Sequence, residues 1–246
     1  MNTKFLAATL LLGSSMAVSA AQNNDCQSLP SHDALQAKLA EAISVDNGGF
    51  NLDMWATVVN RYGTVCAVVK AASAATANTE ADPWPGSRVI SAQKANTANS
   101  FSNRQSSIST AWLYAATQPG ASLFGLQESN PVDTRAAYRG DATKYGTAND
   151  SLHGLKVGGV NVFGGGLALF NEAGDVIGAI GVSGDTSCAD HNIAWRTRDL
   201  LIAATDAIIK NTPAGIANFE KLTYGEHPAC GNSEQAIGQG ELGSAD

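Results

Sequence analysis

The stretch Val176–Val182, running through Ser183-Gly184-Asp185 into a long amphipathic helix, narrows the folds open to this chain more than any other segment. It is short, apolar and rich in β-branched residues, so it reads as a buried strand. Gly178, Gly181 and Gly184 recur at every third residue. Glycine inside a strand marks a place where something approaches the backbone closely. Here that is a neighbouring helix or a flat ligand. The helix is expected from about Ala189 to Lys210, with Ile193, Thr197, Leu200, Leu201, Ala204 and Ile208 as its inner stripe. Ser187-Cys-Ala-Asp190 has the form of a capping box at its start.

The remaining elements surround that unit. Ser31–Ser44 predicts a helix, with Leu35, Leu39, Ala42 and Ile43 on one face and Ser31 able to cap it. Met54–Val59 and Val65–Val69 predict a hairpin closed by Asn60–Gly63. Ser73–Ser87 is a long polar loop, which in a compact domain is functional or mobile. Ile90–Phe101 and Ile108–Thr117 predict two further helices, and Gln127–Gly154 is loop-rich. Val157–Phe163 and Leu167–Phe170 predict strand segments joined by Gly164-Gly165-Gly166, and Asn171–Asp175 a hairpin turn. Hairpins dominate, so the expected class is α+β, an α/β-type sandwich of an antiparallel sheet with helices on one or both faces.

The N-terminus carries Lys4, an apolar run from Phe5 to Gly13 and small residues ending Val18-Ser19-Ala20-Ala21, the pattern of a cleavable signal peptide over residues 1–21. An apolar run that short does not span a bilayer, which takes roughly 20 residues, and no later run is long enough. The chain is therefore expected in the periplasm or secreted, without a transmembrane segment. Residues 22–225 suffice for a single domain, and residues 226–246 read as a C-terminal tail, disordered in part. The formal net charge of −7 argues against nucleic acid as partner.

Four cysteines allow three pairings. Cys188–Cys230 and Cys26–Cys66 are the expected disulfides, because each cysteine lies near an element its partner could staple. Cys188-x-x-His191 and His227-x-x-Cys230 also offer the ligand set of a structural zinc site; in an oxidising compartment the disulfide is the stronger competitor. If it forms, it draws His191 and His227 together.

Other motifs are incomplete. Gly181-Val-Ser183-Gly-Asp185 sits where a nucleophile elbow would, but Asp185 breaks the pattern. Gly164–Gly166 lacks the Lys-Ser/Thr of a phosphate loop. The helix start after Gly184 could bind an anion or simply cap itself. Lys94 shares a helical line with Ile90, Thr97 and Phe101, so it either snorkels to solvent or meets an anionic partner at a pocket.

Three segments together, Ser91–Ala98, Phe124–Asn130 and Phe163–Leu169 through Val176–Asp185, resemble the GlcG/HbpS-like heme-binding family, which also includes the C-terminal domain of some cobalamin adenosyltransferases. The resemblance spans roughly Leu35 to Ile208. It implies a profilin-like antiparallel sheet packed with helices, assembly into homo-oligomers, and heme or a related tetrapyrrole as cofactor. It places Lys94, Thr97, Gly181, Ser183 and Gly184 near the pocket. The loop Ser73–Ser87, the expanded Gln118–Gly154 region, the four cysteines and the C-terminal tail depart from the short family form.

The leading expectation is an exported heme-binding protein, serving redox or oxidative-stress sensing or heme breakdown. The iron needs an axial donor; His32, His153, His191, His227 and several tyrosines are candidates, and His191 ranks first because it follows the glycine motif directly. Two other readings stand beside it: an enzyme acting on a small organic acid or quinone with Lys94 as base or anchor, and a cofactor-free accessory protein for a membrane sensor.

Overall fold

A computed structural model describes residues 26–204, 211–222, 226–240 and 242. The segment 1–21, expected to be a signal peptide, and residues 205–210, expected to continue the last long helix, lie outside the described residues.

The apolar, β-branched runs on either side of Asn60–Gly63 form the expected hairpin: β1 (Met54–Asn60) pairs antiparallel with β2 (Val65–Ala71). Asn60 closes the turn itself, its side-chain oxygen accepting from the amides of Tyr62 and Thr64. The glycine-bearing strand β5 (Val176–Ser183) pairs antiparallel with β1 on one side and with β4 (Gly166–Phe170) on the other. The main sheet thus runs β2-β1-β5-β4. The register sets Trp55 against Ser183 and Asn60 against Gly178.

Nearly every strand residue is buried, because helices cover both faces. One face carries Met54, Ala56, Val58, Ile180 and Val182. Against it pack α1 (His32–Ile43), through Leu35, Leu39, Ala42 and Ile43, and α6 (Ser187–Ala204), through Ile193, Ala194 and Leu201. Ser31 caps α1 as expected, accepting from the Ala34 amide. The other face, with Trp55, Val59 and Ala179, holds α2 (Pro85–Phe101), whose contact stripe is Ala92, Ala95 and Ala98. Small residues on both sides let the helix lie close. A Cβ added to Gly181 would sit 2.0 Å from the Ser91 carbonyl and 2.4 Å from the Ala95 nitrogen. The close approach that these glycines imply is therefore, at Gly181, a helix. Across the same contact the Thr57 and Ser91 hydroxyls pair at 2.7 Å.

Between α2 and β4 the chain makes β3 (Ser106–Ile108), then α3 (Thr110–Ala116), α4 (Leu126–Ser129) and α5 (Thr134–Ala137). After α6 come β6 (Ala217–Phe219), parallel to β3 in a two-stranded side sheet, and α7 (Glu234–Gly240). The segment read from sequence as a tail thus contains a helix, and Ile237 and Glu234 are buried in it.

Three boundaries differ from the sequence expectation. The second helix starts at Pro85, five residues before Ile90, because proline suits the first helical position. The third helix starts after Ser109, whose hydroxyl accepts from the Trp112 amide; Ile108 belongs instead to β3, claimed by its long-range pairing with Phe219. Val157–Phe163 is not a strand. Gly158 and Gly159 take φ of 59° and 79°. The segment gives its backbone groups to α2 and the loops: Asn96 donates to the Gly159 carbonyl, and Asn161 N–H donates to the Thr97 hydroxyl. It covers α2 from outside.

Replacing Gly181 by Ala forces α2 off the sheet. We expect a loss of about 1–3 kcal/mol or more in unfolding free energy, measured by urea denaturation, with little change for Gly86→Ala, which meets nothing within 4 Å.

Candidate functional site

The end of β5, the middle of α2 and the first turns of α6 converge on one buried cluster. Lys94, on α2, is 2% exposed. Its ammonium donates to the Asp190 carboxylate at 2.7 Å and to the Val182 carbonyl at 3.1 Å. The anionic partner is therefore a residue of this chain. Burial pushes the Asp190 carboxyl up to about 6, against the pull of Lys94, and burial likewise lowers Lys94.

The capping at this turn shifts by one residue from the sequence expectation. Thr186, not Ser187, caps α6, its hydroxyl accepting from the Ala189 amide at 3.2 Å. Asp190 instead turns inward, accepting from the Asp185 amide at 2.9 Å while it holds Lys94. Asp185 in turn accepts from the amides of Phe50 and Leu52 and fixes the turn to the segment before β1.

Ser183 and Thr97 are buried beside this cluster. Thr97 donates to the Gln93 carbonyl and accepts from Asn161. Gly184 is packed hard on β1: a Cβ there would lie 2.5 Å from the Asp53 carbonyl and 2.7 Å from the Met54 sulfur. The structure therefore brings Lys94, Ser183 and Gly184 to one strand end, with Thr97 a turn further along α2.

His191 is 2% exposed, and neither ring nitrogen has a hydrogen-bond partner of ordinary geometry. The Glu220 backbone works in the upward direction on its pKa, the smallest of the influences. Burial first, then the nearby His227, Arg198 and Lys94, push its pKa down to about 3. His227, 1% exposed, is also held neutral: burial lowers it to about 4. Its Nδ1 lies 2.9 Å from the Pro228 carbonyl and its Nε2 accepts from the Gly164 amide at 3.3 Å, which assigns the proton to Nδ1. The two histidines do share one neighbourhood, and Gly164 lies between them: a Cβ on Gly164 would meet His191 Cβ at 3.0 Å and the Ser187 carbonyl at 2.4 Å.

The sequence marks Gly164-Gly165-Gly166 as the join between two strand segments and as an incomplete phosphate loop. In the fold each glycine is a contact. A Cβ on Gly165 would strike the Val182 carbonyl at 2.4 Å and crowd Lys94 Cδ at 3.2 Å, and one on Gly166 would strike the Lys94 carbonyl at 2.5 Å. The failed phosphate-loop pattern was the signal that the three serve packing. Beside them Tyr114 stacks near Phe163 at 5.8 Å and near His227 at 5.4 Å, and Phe163 is 42% exposed. Below, Arg198 grips Glu220 with two bonds of 2.7 and 2.8 Å, both side chains fully buried.

The expected disulfides are present, Cys26–Cys66 and Cys188–Cys230. Their sulfurs are thereby spent, and among the described residues no group of three or more His, Cys, Asp and Glu is placed to hold a metal. His32 and His153 stand apart, on a cavity of about 300 Å³ beside Cys26–Cys66.

The residues 31–198 match a family model described as haem degrading protein HbpS-like. Among solved structures, the crystal structure of Klebsiella pneumoniae protein ORFY is 26% identical, with a TM-score of 0.45, over 72% of this chain and 90% of that one. That of a PduOC:heme complex is 22% identical, with a TM-score of 0.46, over 74% and 94%. No curated protein matches the chain.

Removing one partner of the Lys94–Asp190 pair strands a buried charge. Lys94→Met is expected to cost about 3–5 kcal/mol, and Lys94→Met with Asp190→Leu to recover most of it, both read by chemical denaturation. The histidines add a pH dependence. Their folded pKa values lie below the unfolded value of about 6.5, so the unfolded state takes up protons first and stability falls as pH drops below that value. Asp190, raised to about 6, acts in the opposite sense between the unfolded carboxylate value and about 6. His227→Gln isolates one contribution: relative to the variant, the wild type should lose roughly 2 kcal/mol between pH 7 and pH 5.

Proposed function

Because the chain belongs to the HbpS-like haem-degrading protein family, we propose that it is an exported tetrapyrrole-binding protein whose iron donor is His191. One observation carries the choice of residue: His191 keeps both ring nitrogens unbonded in a buried, neutral state. An unbonded buried nitrogen is costly, and iron takes the neutral imidazole. The donor chemistry therefore fits heme, and His227, equally neutral, is a second imidazole within the same neighbourhood. Phe163 and Tyr114 supply apolar ring surface next to them.

Bound heme would supply an iron centre that accepts an axial ligand. The protein's own part is to hold that ligand ready. Lys94, spent on Asp190, fixes the first turn of α6, from which His191 projects. Gly164 lets the chain pass over His191 without a side chain in the way. Ser183 and Gly184 end the strand that leads into this turn, and Thr97 on α2 holds the Asn161 amide. Two disulfides suit an oxidising compartment, and among the described residues no helix is long and apolar enough to cross a membrane. Redox sensing with a membrane partner, heme breakdown and homo-oligomer assembly would each build on this binding step.

Hemin titration followed by absorbance tests the reading, on the protein as purified and in the presence of dithiothreitol. The expected result is a saturable Soret shift in at least one condition, weakened tenfold or more in His191→Ala. A shift that His191→Ala leaves intact removes His191 as donor; no saturable shift in either condition overturns heme binding.

A further inference from the structure

Beyond Gly164, the segment that brings His227 beside His191 is thinly held. Of the segment 226–230, only His227 is buried; Glu226, Pro228 and Ala229 are exposed and Cys230 is half-buried. His227 is held by a long N–H···N contact of 3.3 Å from Gly164, by the Tyr114 ring at 5.4 Å and by a single backbone bridge. The firm attachment on this side is the Cys188–Cys230 bond. Cys188 lies three residues before His191 on α6, so both project from the same side of the helix. Beyond Cys230 the chain is anchored again, where Thr186 donates to Glu234 at 2.9 Å and Asn192 donates to the Glu234 carbonyl at 3.0 Å. Opening the bond would thus free a short span and leave α7 in place, a local motion of the low-stability kind.

The position of the sulfurs favours exchange. Cys188 is the second residue of α6, and its amide points at the Cys230 sulfur at 3.3 Å. Cys188 itself sits in the first turn, where the helix N-terminus favours its thiolate as the first leaving group, and its amide favours the Cys230 thiolate released in the second exchange. Cys188 is fully buried while Cys230 is reachable. Cys66, in the other disulfide, sits on a strand.

We propose that Cys188–Cys230 is a thiol-exchange site for a dithiol reductant, and that its opening uncovers His191. A thiolate of the dithiol attacks the Cys230 sulfur, the Cys188–Cys230 bond breaks, and Cys188 leaves as a thiolate. The second thiolate of the reductant then attacks the mixed disulfide, releasing Cys230. The two protons of the dithiol end on the two cysteines, which are reduced, and the reductant leaves as a disulfide. The exchange stands by itself; its consequence for iron rests on the heme reading above.

The test uses the full chain and dithiothreitol, with alkylation and peptide mass spectrometry reporting each cysteine pair. Cys188 and Cys230 should become alkylated at least tenfold faster than Cys26 and Cys66. Under the same conditions, carbethoxylation of His191 by diethyl pyrocarbonate should rise at least tenfold, with exposed His153 as the constant reference. A Cys188→Ser, Cys230→Ser double variant should show the open His191 without reductant; if it does not fold, selective reduction of the wild type gives the same readout. Equal rates for the two disulfides, or a His191 that stays protected once Cys188–Cys230 is open, overturn the proposal. Hemin separates the two ideas. A His191-dependent Soret shift confined to the reduced protein supports both. Carbethoxylation without any Soret shift keeps the exchange site and removes heme. An equal shift in both redox states keeps heme and removes the gate.

Discussion

The contact between Lys94 and Asp190 joins two helices that lie on opposite faces of the sheet. α2 and α6 cannot meet through the sheet itself; they meet past its end, where β5 stops at Ser183 and the chain crosses at Gly164–Gly166. A lysine reaching that far needs a corridor free of side chains, and the glycine run provides it. A carboxylate at the far end needs other donors, and the Asp185 amide provides one. The pair, the glycines and the turn are thus a single arrangement: none of the three is satisfied without the other two.

Two further buried ion pairs fasten segments to this fold. Arg88, on α2, holds Asp150 and the Ala137 carbonyl and lies under the Tyr145 ring, which fastens the long excursion between α3 and β4. Arg198, on α6, holds Glu220, which also accepts from Ser107, and so fastens the stretch after α6 to the side sheet. Such pairs add little net stability compared with apolar packing, but they are strongly directional. They fix where loops sit over a core that is otherwise built from Ala, Val and Leu.

Much of this was legible in the sequence because it obeys local rules. Short apolar, β-branched runs gave the hairpin and β5, a helical stripe gave α1 with its Ser31 cap, and nearness to elements that could be stapled gave both disulfides. Lys94 on an apolar line left two outcomes open, snorkelling or an anionic partner, and Asp190 as that partner was hidden. Four residues after Thr186, it carries the signature of a cap, and only tertiary packing turns it inward. Val157–Phe163 failed for a related reason: it has strand composition, but Gly158 and Gly159 take positive φ, and α2 rather than a strand takes its polar groups. Glu220 gave no sign at all, since nothing local distinguishes a buried glutamate in a loop from an exposed one.

The order of strands in the sheet has a bearing on how the chain is made. β1 finds its first neighbour, β2, at once, but its second is β5, with Trp55 set against Ser183. The middle of the sheet therefore closes only when the last third of the chain has been synthesised. Until then β1 offers an unpaired edge and the glycine seat for α2 does not exist. Topologies dominated by such distant pairings fold slowly, because a long loop must close before its contacts give any return. A nascent chain of this design therefore keeps the seat of its central helix open until the strand that completes it has emerged.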